Sequence, residues 1–329
     1  MEISRREFFD KMLKLGAGAA AAGAMGSLAA CSDEKEQATV ESPAPATTPA
    51  PQPSIIRAPV DTAYLAVARG QNPGSIVSAA IKALGGMERF VKKGNDVIIK
   101  PNICVAYHTY EYAATTNPEV VGALVKLCLS AGARRVRVMD QPFGGTAEQA
   151  YNVSGIAKAV KEAGGEMEVM SALKFRDVPF PDGKDIKSWP VYADALDTDV
   201  LINVPIAKHH SLARLTLGMK NLMGLIRNRG EFHFNLGQRV ADLAGLLRPE
   251  LTVVDAVRIL NNHGPTGGNL ADVKLMNTVI ASHDFVAADA WAATLFGMTG
   301  EDLPIVRAAS QMGLGTTDLK SIKIEEINI

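Results

Sequence analysis

Between Asn203 and His233 the chain gathers side chains that can hold charge or move a proton. The segment reads Asn203-Val204-Pro205-Ile206-Ala207-Lys208-His209-His210, then Met219-Lys220-Asn221-Leu222-Met223-Gly224, then Arg227, Arg229 and His233. Three of the chain's six histidines lie here. Lysines and arginines brought together can bind a carboxylate or phosphate. Neutral imidazoles can instead ligate a metal, and imidazole titrates nearest neutral pH, which suits acid–base work. Lys208 and Lys220 are therefore candidate anion holders, and Lys220, His209 and His233 candidate catalytic groups. His209 and His210 are adjacent, so on regular structure their side chains diverge and both are not expected on one ion. The competing reading is a basic, solvated loop with one capping histidine.

Other polar residues recur where apolar runs end: Lys100 with Asn102, Asp140, Asn203, Asp255, and Asp284 after His283. In parallel α/β sheets the ligand crevice lies beyond the carboxyl ends of the strands. Asp255 is thereby a candidate to orient a histidine, or to complete a metal set with His209 and His233. His263-Gly264-Pro265-Thr266-Gly267-Gly268-Asn269 follows the Asp255 run. Its glycines, Gly264 and Gly267 among them, allow backbone N–H groups to approach a ligand. It has neither the Gly-Lys-Ser/Thr of a P-loop nor a dinucleotide fingerprint, and no hydrolase signature occurs.

The elements that must carry these groups alternate. Apolar runs at 64–68, 96–100, 135–139, 200–204, 251–254 and 277–282 read as strands. Helical spacing appears at 76–84, 118–132, 156–163, 236–247 and 286–296, with Asn117 capping a helix opened by Pro118. Such alternation implies an α/β fold, a largely parallel sheet with helices on both faces.

Three further features bound the function. Ser4-Arg5-Arg6-Glu7-Phe8-Phe9 resembles a twin-arginine export motif, and the uncharged run Leu15–Ala30 is too short and weakly apolar to span a bilayer. Leu28-Ala29-Ala30-Cys31 resembles a lipobox, which makes Cys31 the expected site of lipidation and membrane attachment. Residues 1–31 are thus read as a signal, 32–60 as a Pro/Ala/Thr-rich tether and 61–329 as the α/β domain. Export would engage the twin-arginine translocase and leave the domain in the cell envelope, outside the cytoplasm. Net charge is −1 and no basic stripe occurs, so nucleic acid is not an expected partner. Beyond Cys31 only Cys104 and Cys128 remain. No cysteine-ligated iron–sulfur cluster is therefore expected, and Cys128 is expected to be a core residue.

Taken as a set, Lys100-Pro101-Asn102, Thr115-Thr116-Asn117-Pro118, Asn203-Val204-Pro205 with Lys208-His209, Lys220-Asn221-Leu222 with Gly224, Asp255, Gly264-Pro265 with Gly267, and Ala288-Asp289-Ala290 resemble the prokaryotic domain-of-unknown-function family 362. The match runs in order over most of residues 63–300. The resemblance implies that Lys100, Asn102, Lys208, His209, Lys220, Asn221, His233 and Asp255 line one pocket. Some family members carry a ferredoxin-like module whose cysteines this chain lacks. The leading expectation is an envelope enzyme, or a cofactor-dependent redox accessory protein with a redox partner, acting on a small anionic ligand. The alternative is a tethered binding or assembly protein without turnover. A third chemistry, of the nickel-pincer racemase kind, is suggested by the lysine–histidine cluster alone. Any cofactor is left open, a metal ion included.

Overall fold

The protein is described here by a computed structural model covering residues 62–329. The signal segment, Cys31 and the 32–60 tether lie outside the described residues. Ten strands form one sheet: β1 (Leu65–Arg69), β2 (Asp96–Pro101), β3 (Arg135–Val138), β4 (Glu166–Met167), then, after a separate hairpin of β5 (Phe175–Pro179) and β6 (Ser188–Tyr192), β7 (Val200–Val204), β8 (Ile206–His210), β9 (Arg214–Thr216), β10 (Leu251–Leu260), β11 (Val273–Ser282) and β12 (Ile324–Asn328). The main order is β12-β1-β11-β10-β7-β2-β3-β4, with β8 paired to β10 and β9. β12–β1, β10–β7, β7–β2, β2–β3 and β3–β4 are parallel. β11 runs antiparallel to both its neighbours, so the sheet is mostly parallel with one reversed central strand.

Strand side chains alternate faces, and the core divides accordingly. Ile98 and Leu201 face one apolar layer, built with the helices Leu236–Leu247, Phe285–Ala293 and Pro304–Gln311. Val97, Ile99 and Ile202 face the other, built with the helices Pro73–Ala83, Pro118–Ser130 and Ile156–Glu162. Asn117 caps its helix as expected, its side chain accepting from Glu119 N–H at 2.9 Å. Among the described residues no helix is long and apolar enough to cross a membrane.

Two of the strand boundaries that differ from expectation bear on function. β10 does not stop at Val254 but continues to Leu260, because it pairs with β11 from Thr252↔Ser282 to Leu260↔Val273. Asp255 therefore sits within a strand, wholly buried, and not at a strand's carboxyl end. The glycine-rich loop is the connection between these two long antiparallel strands. Pro205 ends β7, yet the chain passes directly into β8. Lys208, His209 and His210 therefore belong to a strand rather than to a loop.

Candidate functional site

The site begins with the period of β8. Residues two apart share a face, so Lys208 and His210 lie on one side and His209 on the other. His209 turns to the loop after β10. Its Nδ1 accepts from Gly264 N–H at 3.2 Å, and a Cβ at Gly264 would lie 1.8 Å from the His209 carbonyl oxygen. Only glycine fits there. Gly264 thus holds the loop against β8, while Gly267, at φ +63°, turns it over Leu260.

On the Lys208 face a polar network closes over the ends of β2 and β7. Lys100 Nζ meets Asp140 Oδ1 at 2.8 Å and donates to Asn221 Oδ1 at 2.8 Å and to the Pro101 carbonyl at 3.0 Å. Asn221 Oδ1 also accepts from Asn102 Nδ2 at 2.9 Å. Its own Nδ2 donates to Asn203 Oδ1 at 2.9 Å and to the Lys100 carbonyl at 3.1 Å. Lys208 Nζ donates to the Ala114 carbonyl (2.6 Å), the Pro265 carbonyl (2.9 Å) and Asn102 Oδ1 (3.0 Å), with Cys104 Sγ at 3.2 Å. An ammonium has three protons, so Lys100 and Lys208 have committed all of theirs. Neither has a proton left for a ligand. Burial lowers the Lys100 pKa, and the adjacent Asp140 carboxylate opposes that shift.

Lys220 differs. It is held on the short helix Gly218–Asn221, whose first N–H groups are taken by Asp289: Gly218 N–H at 2.6 Å and Met219 N–H at 2.9 Å. Burial, without any countercharge, pushes the Asp289 carboxyl up to about 7. The Lys220 stem runs along a small cavity lined by Leu215, Leu217, Leu303 and Val306. Among the described residues its ammonium has one hydrogen-bond partner, Met223 Sδ at 3.4 Å, which leaves protons to give. Burial brings its pKa down to about 8, and the charges acting on it, Lys208, Arg229 and Lys100, are all positive. Arg229 lies beside this group. It donates from Nη1 to the Gln141 carbonyl and from Nη2 to the Pro142 carbonyl, at 2.9 and 3.2 Å. His210, 8% exposed, is brought down to about 3 by burial and by Lys220, Lys208, His233 and His209 in that order. It is a neutral ring at any physiological pH.

The structure thus brings together Lys100, Asn102, Lys208, Lys220 and Asn221, with Asp140, Asn203, Arg229 and His210. It does not assemble His209, His233 and Asp255 as a metal set. Both Asp255 oxygens are engaged by backbone, Oδ2 by Asn117 N–H at 2.7 Å and Oδ1 by Val257 N–H at 2.9 Å, while burial pushes its pKa up to about 6. His233 Nδ1 lies 2.6 Å from the Arg229 carbonyl and serves the turn that carries Arg229. Among the described residues no group of three or more His, Cys, Asp or Glu could hold a metal ion. Cys104 and Cys128 are both buried and free. Cys128 is a core thiol pushed up to about 12 by burial, and Cys104 belongs to the network through Lys208. Strand alternation would have selected His210 over His209 had Ile206–His210 been recognised as a strand. Nothing in the sequence but the family motif singled out Asp289.

Fold and site together define an α/β protein with a cluster of buried and half-buried cations at the carboxyl ends of its parallel strands β2 and β7. The chain belongs to the family described as domain of unknown function (DUF362), which matches residues 97–294. It is similar to a thylakoid-associated protein of Synechocystis sp., 29% identical over 252 residues, covering 72% of this chain and 74% of that one. Among solved structures it is similar to the lactate racemase apoprotein from Thermoanaerobacterium thermosaccharolyticum, with a TM-score of 0.46 and 11% identity over 72% of this chain. A protein from Thermotoga maritima gives a TM-score of 0.43 and 13% identity over 70% of this chain. The chain spans 58% and 60% of the length of those two structures.

Proposed function

We propose that this protein is an envelope enzyme that binds a small carboxylate- or phosphate-bearing ligand in the cleft and exchanges a proton with it through Lys220. The observation that carries the reading is geometric: among the described residues the Lys220 ammonium has Met223 Sδ as its one hydrogen-bond partner, and Asp289, which lines the same cavity, is taken by the Gly218 and Met219 N–H groups. Asp140 is ion-paired with Lys100. An anion supplies the missing negative charge and accepts the protons that Lys220 has left. A lysine pKa of about 8 leaves the amine within reach of both protonation states near neutral pH, as proton transfer requires. Lys100 and Lys208 hold the field, and Arg229 stands ready to orient the anion.

The same proposal places the protein at a membrane. Arg5-Arg6 and Cys31 support export in the folded state followed by lipid attachment, and the Synechocystis relative is named for association with thylakoids. Full-length protein extracted from membranes should bind inorganic phosphate or acetate by calorimetry, and the Lys220→Ala variant should not. A metabolite screen of the same preparation should show saturable turnover. Binding without turnover would favour the non-enzymatic, ligand-delivering alternative, and equal binding by Lys220→Ala would remove the site assignment. Labelling with radioactive fatty acid tests the anchor: wild type should take up label and Cys31→Ala should not.

A further inference from the structure

One donor in the cleft has no acceptor of its own. His210 Nδ1 accepts two backbone N–H groups, from Leu212 at 3.1 Å and from Ala213 at 3.2 Å. A ring nitrogen that accepts carries no proton, so the imidazole proton sits on Nε2. The turn that joins β8 to β9 therefore fixes the tautomer from the backbone. Among the described residues no acceptor is paired with Nε2. Nor is this nitrogen one of the sealed, unpaired polar atoms, which lie at residues such as Thr115, Gln141 and Thr252. His210 shares its strand face with Lys208, and the charges that bear on its ring are Lys220, Lys208, His233 and His209. Its register partner across the β8–β9 ladder is Arg214. The two lysines and two histidines that act on the ring all disfavour a second proton on it.

We infer that His210 is a ligand-binding residue whose Nε2–H donates a hydrogen bond to an oxygen of the small oxyanion held at Lys220. This inference rests on the anion reading of the cleft. A neutral imidazole donates without adding charge, a use of histidine known from other enzyme sites. The lysines and Arg229 thus match the ligand's net charge, whereas His210 reads where a second acceptor oxygen lies. The ligand class is accordingly a carboxylate or phosphate with two oxygens in reach, one for Lys220 and one for His210.

Calorimetric titration of the full-length, detergent-extracted protein with inorganic phosphate and, separately, with acetate tests this. Which probe binds distinguishes a phosphate from a carboxylate ligand. His210→Phe keeps the ring shape without the donor and should weaken binding by about tenfold or more. His210→Gln, whose amide nitrogen can stand where Nε2 stood, should recover much of it, and His210→Asn, with its shorter reach, should not. Nitrogen-15 NMR of histidine-labelled wild type gives a readout that needs no variant to fold. His210 should appear as the Nε2–H tautomer at neutral pH, and its Nε2 resonance should move when the probe saturates the site. Wild-type binding that persists unchanged in a folded His210→Phe protein would overturn the inference alone. So would an Nδ1-protonated or doubly protonated ring. Failure of wild type to bind either probe would overturn the cleft reading and this inference with it.

Discussion

The strand pair β2–β3 carries a buried cation cluster near each end, and the two are opposites. Near the Asp96 end, Arg137 meets three carboxylates, Asp96, Glu168 and Asp194, with Arg135 and Lys174 completing the balance. The Arg137 pKa is raised there, and those of Asp96 and Asp194 are lowered. Near the Lys100 end Lys100, Lys208, Lys220 and Arg229 gather with one ion pair among the described residues, Lys100–Asp140, and the pKa values of Lys100, Lys220 and Arg229 are all lowered. Paired charges whose pKa values move apart stabilise the folded state. Burial lowers all three, with repulsion from neighbouring cations added at Lys100 and Lys220, so the rest of the fold holds these charges in place at a cost. The first cluster holds the molecule together, and the second is what the fold holds in place.

If that contrast is right, removing a cation should do opposite things at the two ends. The largest effect expected is from Arg137→Met, which leaves carboxylates facing one another in a buried place. It should lower unfolding stability by about 3 kcal/mol in urea denaturation, while affinity for phosphate or acetate is kept. Gly224→Ala should come next. A Cβ there would lie 2.0 Å from Asp140 Oδ1 and 2.6 Å from Lys100 Nζ, so it must force apart the one ion pair of the cleft. We expect a loss of about 1–3 kcal/mol together with loss of anion binding. Lys220→Met should sharpen the contrast further: stability unchanged or slightly raised in the same denaturation assay, and affinity down by about tenfold or more.

The smallest effect is one of pH. Lys220 is lowered from 10.5 to about 8 in the folded protein, so between those values the unfolded chain binds more protons. Stability from this group therefore rises with pH across that window, because its folded-state penalty is relieved. Anion affinity should fall over the same rise through pH 8 as the ammonium is lost. Parallel melts and titrations from pH 7 to 10 would show the two curves crossing, and curves that rise together would break the comparison.

Much of the framework could be read from the sequence, because buried parallel strands such as Val97-Ile98-Ile99 and Leu201-Ile202 are continuous apolar runs. The helix Leu236–Leu247 was legible to the residue. What escaped was polar. β12 reads Ile-Glu-Glu-Ile-Asn and β5 reads Phe-Arg-Asp-Val-Pro, exposed or half-exposed strands with no apolar run to betray them. The site was legible in its residue types but not in its roles. Its position among basic residues marks Lys208 as an anion holder, yet its protons are committed to Ala114, Pro265 and Asn102. The end of an apolar run suggests Asp255 as a partner for histidine, yet the backbone of Asn117 and Val257 occupies it. Such commitments depend on partners from distant parts of the chain, which no local pattern reports.

The pairing of β1 with β12 has a consequence for how the molecule is made. Leu65 lies opposite Ile324 and Arg69 opposite Asn328, so the sheet joins the first described strand to the last. A chain leaving the ribosome holds β1 long before β12 exists, and closing so long a loop carries an entropic cost that slows folding. The cleft shares this dependence, because Asp289 must arrive before the helix bearing Lys220 is secured. The sheet therefore closes only once β12 is present, and a chain cut before Ile324 leaves one edge of β1 without its partner strand.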